Sequence, residues 1–207
     1  MEFKTAAPLM CAGISIYGGI VKANVPKGSS IGIVGIGGLG HIGTQVAKCM
    51  GYKVAAIDVK QSALDAVASY KHSPDVLILA SDHVGECQRK LSAISGVYPG
   101  LDATVLATDH PAAFELAAAL TRKHGTMVLL GQPEKGITMS YATTIYKDIK
   151  LVGSLVADTA QAQELINLFS ENMLHVQVKE WRLEDAEQMK QDYLAGNSEG
   201  KNVIVID

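Results

Sequence analysis

The stretch GIVGIGGLGHIG, residues 32–43, carries the pattern Gly35-x-Gly37-x-x-Gly40 where a short apolar run meets the start of a helical pattern. Each glycine has its own mechanical reason. Gly35 permits a tight turn after a strand, Gly37 lets a pyrophosphate approach the backbone, and Gly40 lets the helix pack on the sheet. A helix that opens here points N–H groups and the positive end of its dipole at whatever lies before the loop. Glycine turns also join strands to helices for packing alone, so the surroundings decide. One helical pattern later a second apolar run, KVAAID (53–58), closes on Asp58, eighteen residues beyond Gly40. A carboxylate there accepts both hydroxyls of an adenosine ribose and repels a 2′-phosphate. The expected ligand is NAD(H) in preference to NADP(H), a preference tempered by Lys60, whose cation tolerates a phosphate. Gly35, Gly37, Gly38, Leu39, Gly40, Asp58 and Lys60 form the expected cofactor-binding set.

Outward from this loop the same alternation continues. The runs IGIVGI (31–36), KVAAID, DVLILA (75–80), DATVLA (102–107), GTMVLLG (125–131) and IKLVGS (149–154) are separated by LGHIGTQVAKCMG, QSALDAVASY, GECQRKLSAI and PAAFELAAALTR. Strands without polar alternation, spaced by helices, predict a parallel sheet covered on both faces. Six of them predict an α/β fold, a doubly wound six-stranded parallel sheet of the Rossmann type. Pro111 is placed to open a helix, and Gly51 and Gly125 to end two others in left-handed caps. Two segments stand outside the repeat. Residues 1–24 read as a lead-in helix ended by ANVPKGSS, and 176–207 as strand, helix, strand. The dinucleotide-binding domain is expected over 25–175.

Composition narrows the class. Of 207 residues 48% are apolar and 19% charged, with a net charge of −3 and the signs interspersed, so the chain reads as globular. No basic face argues for nucleic acid or anionic lipid. No secretory leader is evident and no stretch approaches eighteen apolar residues, so no membrane partner is expected. Cys11, Cys49 and Cys87 are widely spaced and odd in number, which suits a reducing cytoplasm better than a disulfide scaffold. Two related chemistries fit less well. A methyltransferase loop is usually shorter. Tyr146 and Lys150 have the YxxxK spacing of short-chain dehydrogenases, but Lys150 opens a strand instead of sharing a helix with Tyr146.

With these residues in place, the sequence resembles the zinc-dependent medium-chain alcohol dehydrogenases, the cinnamyl and yeast-type branches included. The likeness runs from AAPLMCAGISIYGG (6–19) through the glycine loop, PAAFELAAAL, GTMVLLGQP and IKLVGS to the tail GKNVIVID. The resemblance implies that Cys11 occupies the position of a catalytic-zinc ligand and that Lys201 approaches the cofactor pyrophosphate. It also implies that both chain ends are remnants of a catalytic domain, and that copies pair as a homodimer through an edge strand, for which GITMSYA (136–142) is the matching β-prone stretch, a loop over the sheet edge being the alternative reading of those residues. The departures are as informative. The family's Gly-His-Glu motif, second cysteine ligand and structural-zinc cysteines precede the Cys11 segment, and only ten residues stand before Cys11 here. The chain is therefore expected to lack most of the N-terminal GroES-like catalytic domain and, with it, the zinc. The histidines at 41, 72, 83, 110, 124 and 175 show no ligand spacing. Cys11 is expected to be a helix-packed thiol, His41 a loop-packing or cofactor contact, and His110 a turn residue near a helix start. The opening MEF matches a start codon fused to a cloning site, and an excised domain and a naturally shortened member both stay open.

Three readings of function follow. The chain is the cofactor-binding portion of an alcohol dehydrogenase-like oxidoreductase, transferring hydride only when a catalytic domain completes it. Alternatively it binds NAD(H) without turnover. A third possibility is a zinc-free enzyme using the exposed cleft, with Asp82, His83, Asp109, His110 and Gln132 near the strand ends and a small molecule as substrate. The substrate itself is not legible.

Overall fold

A computed structural model describes residues 1–197 and 200–206. Six runs form one parallel sheet: β1 (Ser30–Val34), β2 (Lys53–Asp58), β3 (Val76–Leu79), β4 (Leu101–Leu106), β5 (Thr121–Leu129) and β6 (Lys150–Gly153). Helices α1 (Phe3–Pro8) and α2 (Ile14–Lys22) precede it. Between or after its strands come α3 (Gly40–Cys49), α4 (Gln61–Ala68), α5 (Val84–Leu91), α6 (Pro111–Leu120), the short α7 (Tyr141–Thr144) and α8 (Thr159–Asn172). The tail adds β7 (Val178–Arg182), α9 (Ala186–Leu194) and β8 (Lys201–Val205), with β7 and β8 paired in parallel as a separate two-stranded sheet.

The strand order is β3-β2-β1-β4-β5-β6. Successive crossovers run one way from β1 to β3 and the other way from β4 to β6, so a crevice opens between the carboxyl ends of β1 and β4. Pleating explains why the strands lack polar alternation. Val54 and Ala56 of β2 face one layer with α2, α3 and α8, while Ala55 and Ile57 face the other with α5 and α6. At the opposite end of the sheet, Asp102 joins three strands. Its carboxylate accepts from the Ser30 N–H at 2.8 Å, the Ser30 hydroxyl at 2.9 Å and the Arg122 Nε–H at 2.6 Å. Burial alone would push this carboxyl up; the Ser30 and Arg122 donors outweigh it and hold the group below its ordinary value.

Two expectations about the sheet are corrected. Gly125 is no helix cap: α6 ends at Leu120 in an extended residue, Gly125 lies inside β5, and the left-handed residue is His124, with φ 58°. Its N–H donates to the Lys147 carbonyl at 2.7 Å, an external bond that holds the local kink. GITMSYA is no strand. Residues 136–140 are irregular and Tyr141 begins α7, because Ser140 caps that helix and Glu115 binds both the Ser140 N–H and its hydroxyl. The sheet edge on that side is β6.

Residues 3–22 form one continuous helical run of 20 residues with hydropathy 1.2, long and apolar enough to cross a membrane. Small residues between its Ile and Leu positions kept that run from looking apolar in the sequence. Half of this apolar stretch is buried inside the protein, with Leu9, Ala12, Ile16 and Ile20 at 0% exposure against the core. Gly51 does end α3 with φ 89°, and Pro111 does open α6. Of the tail, Ser198, Glu199 and Asp207 lie outside the described residues.

Candidate functional site

The loop between β1 and α3 is shaped by what surrounds each glycine. Gly35 has φ 91°, and a β-carbon there would stand 2.7 Å from Thr108 Cβ. A β-carbon at Gly40 would collide with the Gly35 carbonyl oxygen, so helix and turn fit only without one. Gly37 is different: nothing lies within 4 Å of where its β-carbon would be. Its open flank faces the crevice, in front of an α3 N-terminus that no side chain caps.

The crevice is a cleft of about 530 Å³. Glycine-loop residues form its floor, Asp58, Lys60 and Ser62 one wall, and Thr108, Asp109, Gly131 and Gln132 the other. Gln177, Tyr193 and Gly200 of the tail close it from above. Asp58 sits at the end of β2. One oxygen accepts from the Ile36 N–H at 2.5 Å and the other from the Lys60 N–H at 2.8 Å. Each oxygen keeps acceptor capacity beyond its backbone partner, so a diol can still be bound. The Lys60 ammonium donates to the Gly196 carbonyl at 3.4 Å. Behind Asp58 lies a second hollow of about 410 Å³ with an apolar lining that includes Val34, Val59, Ala113 and Leu116. It meets the larger cleft at Asp58, Gly35 and Thr108.

His41 lies one residue past Gly40 and is buried at 2% exposure. Its Nδ1 is 2.8 Å from the Gly37 carbonyl oxygen, which only accepts, so Nδ1 carries the proton. Nε2 then accepts the Gln177 N–H at 3.2 Å. Burial, followed by the charges of His175 and Lys201, depresses its pKa to about 4, although the Gly37 carbonyl pulls upward. It packs the loop as a neutral ring at pH 7, its one proton engaged by the Gly37 carbonyl. Gln45 extends the same stitch, donating to the carbonyls of His41 and His175 and accepting the His175 N–H. Gln45, Gln177 and Tyr193 were not singled out from the sequence. Only Gln45 left a trace there, as a polar residue one helical turn from His41.

Lys201 opens β8 with its side chain over the loop, its Cδ 2.8 Å from a β-carbon placed on Gly38. Leu39 stands at the N-cap position of α3. Among the remaining sequence candidates, Asp109 and Gln132 line the larger cleft and His110 the apolar hollow. Asp82 is instead paired with Lys90 at 2.7 Å, and His83 stands at the start of α5, lining neither space. Tyr146 is exposed beyond α7, and Lys150 begins β6, so the YxxxK spacing builds nothing.

Cys11 is exposed, a correction to the helix-packed thiol expected of it. It lies in a π-helical turn, Leu9–Gly13, that joins α1 to α2. Leu9, Ala12 and Gly13 take the inward positions, and the turn rotates Cys11 outward. Among the described residues no three His, Cys, Asp or Glu side chains come together as a metal-binding group. One thiol does not meet the three-ligand requirement of a catalytic zinc, so this chain's described residues do not fit that ion.

Residues 38–171 match the family model described as zinc-binding dehydrogenase. An alcohol dehydrogenase of Geobacillus stearothermophilus is 30% identical over 207 residues, covering 100% of this chain and 59% of that protein. One from Rhizobium meliloti is 32% identical over 206 residues, covering 99% of this chain and 58% of its own length. The chain thus spans well under two thirds of these relatives. The crystal structure of the alcohol dehydrogenase from Aeropyrum pernix superposes with a TM-score of 0.84 at 25% identity, over 98% of this chain and 58% of that one. With nearly two thirds of its length under the family model, the chain belongs to the zinc-binding dehydrogenase family and is alcohol dehydrogenase-like.

Proposed function

We propose that this chain is the cofactor-holding part of an alcohol dehydrogenase-like oxidoreductase and takes NAD(H) in preference to NADP(H). The observation that carries the reading is the open flank of Gly37 at the mouth of α3, in one cleft with the Asp58 carboxylate. Loop amides with a helix dipole behind them suit a pyrophosphate, and a carboxylate with spare acceptor capacity suits a ribose diol. The apolar hollow behind Asp58 suits an adenine. A nicotinamide, when bound, supplies hydride exchange with a carbonyl or alcohol carbon. The chain's own residues bind and orient. Hydride transfer to or from an alcohol is proposed only for a protein completed by a catalytic domain that brings the remaining donors.

Calorimetric titration of the purified chain with NADH and with NADPH tests this. NADH is expected to bind the more tightly, and Asp58→Ala to weaken it about tenfold while leaving NADPH little changed, the size of a lost hydrogen bond to a charged group. Failure of the chain to bind either nucleotide would overturn the reading.

A further inference from the structure

One line of hydrogen bonds begins in the glycine loop and ends at a lysine more than 160 positions away in sequence. The Gly37 carbonyl accepts from His41 Nδ1–H at 2.8 Å, and His41 Nε2 accepts the Gln177 N–H at 3.2 Å. The Gln177 carbonyl in turn accepts the Lys201 N–H at 2.8 Å. The Lys201 side chain then returns over the loop, its Nζ 3.7 Å from a β-carbon placed on Gly38. Water does not compete for the ring, which is buried, and Gln45 anchors the backbone on both sides of the link at His41 and His175.

The geometry has a direct consequence at the loop. A trans peptide holds its carbonyl and the following N–H in opposite directions. The Gly37 carbonyl accepts the His41 main-chain N–H as well, at 3.2 Å, so main chain and imidazole together draw it back toward His41 and turn the Gly38 N–H forward, out of the helix mouth. The other end of the same imidazole sets the height of Gln177, and with it the register of Lys201 against Gly38. Loop amide and ammonium are thereby brought to the same place before any ligand arrives, which removes an ordering cost from binding.

We propose that His41 is a positioning residue for phosphate binding: it locks the glycine loop to the strand bearing Lys201, so that loop amides and ammonium address one phosphate group together. The inference rests on the nucleotide reading above and names the part of the ligand it serves. An ordinary packing role would support the whole site equally, whereas this one concerns only the phosphates.

The test titrates the full chain with NADH and with adenosine, which has the base and ribose but no phosphate. His41→Leu is expected to weaken NADH about tenfold and leave adenosine unchanged. His41→Asn, which keeps a donor for the Gly37 carbonyl, is expected to recover part of the loss. Combined with Lys201→Ala, His41→Leu is expected to cost less than the product of the two single effects, because both act on one contact. Should His41→Leu not fold, His41→Asn and its combination with Lys201→Ala carry the same comparison. Equal losses for NADH and adenosine, independent multiplication of the two effects, or undiminished NADH binding in the His41 variants would each overturn the proposal. Wild-type chain that binds neither probe would overturn the nucleotide reading and this inference with it. Wild-type binding with unaltered variants would overturn this inference alone.

Discussion

His41 contributes to folding in a pH-dependent way whose sign follows from its surroundings. It is packed between the glycine loop and residues 175–177, with His175 and Lys201 the charged or titratable groups that oppose its protonation. Its folded pKa is about 4 against an ordinary 6.5. Between these values the unfolded chain binds the proton and the folded chain does not, so stability is full above about pH 6.5 and falls as the pH drops toward 4. The shift corresponds to about 3 kcal/mol. Urea midpoints of wild type and His41→Gln across pH 7.5 to 4 check this: the advantage of the wild type is expected to shrink by about that amount, and a constant gap would refute it. The glycines were legible at this scale because a positive φ or a missing β-carbon restricts a position to one residue type. The work of His41 was not legible, since its partner Gln177 stands 136 positions away and offers only a backbone N–H.

Strands and long helices announce themselves through apolar runs, and five of the six sheet strands lie within two residues of where their runs predict. The exception is β5, which begins at Thr121, ahead of the run at 125. The polar residues Arg122 and Lys123 hide that start, although Arg122 is held in the strand end by Asp102. GITMSYA shows the opposite failure. Its β-prone letters lost to a local capping arrangement, Ser140 with Glu115, that propensity does not weigh. The Asp102 cluster supplies the prediction proper to this scale. Asp102→Ala leaves the Ser30 N–H, which is buried, and the Arg122 Nε–H without their acceptor. A cost of about 2–4 kcal/mol is expected. Thermal melting should fall by roughly 5–15 °C, while NADH affinity stays as in wild type, because the cluster lies at the end of the sheet opposite the cleft. Loss of affinity without loss of stability would contradict that placement.

At the scale of the whole molecule, the two ends of the chain close on the sheet from different directions. The tail roofs the cleft through Gln177, Tyr193 and Gly200, and the helical run 3–22 seals one face of the core. By length and hydropathy that run of 20 residues at 1.2 suits a membrane span or a core helix equally. Packing separates the two. Ile16 presses against Gly43 of α3, and Gly19 lets α2 approach Val105 of β4 and Leu130. Leu165 and Phe169 of α8 complete the same apolar cluster. A helix so enclosed contributes to the stability of the sheet itself. Ile20, fully buried and in the middle of α2, is the position to change. Ile20→Ala is expected to cost about 2–5 kcal/mol, through lost burial and the cavity left behind, and to lower the melting temperature by roughly 5–20 °C. A helix lodged in lipid would leave the melting of the nucleotide fold where it was, so an unchanged transition in this variant would reassign residues 3–22 from core to membrane.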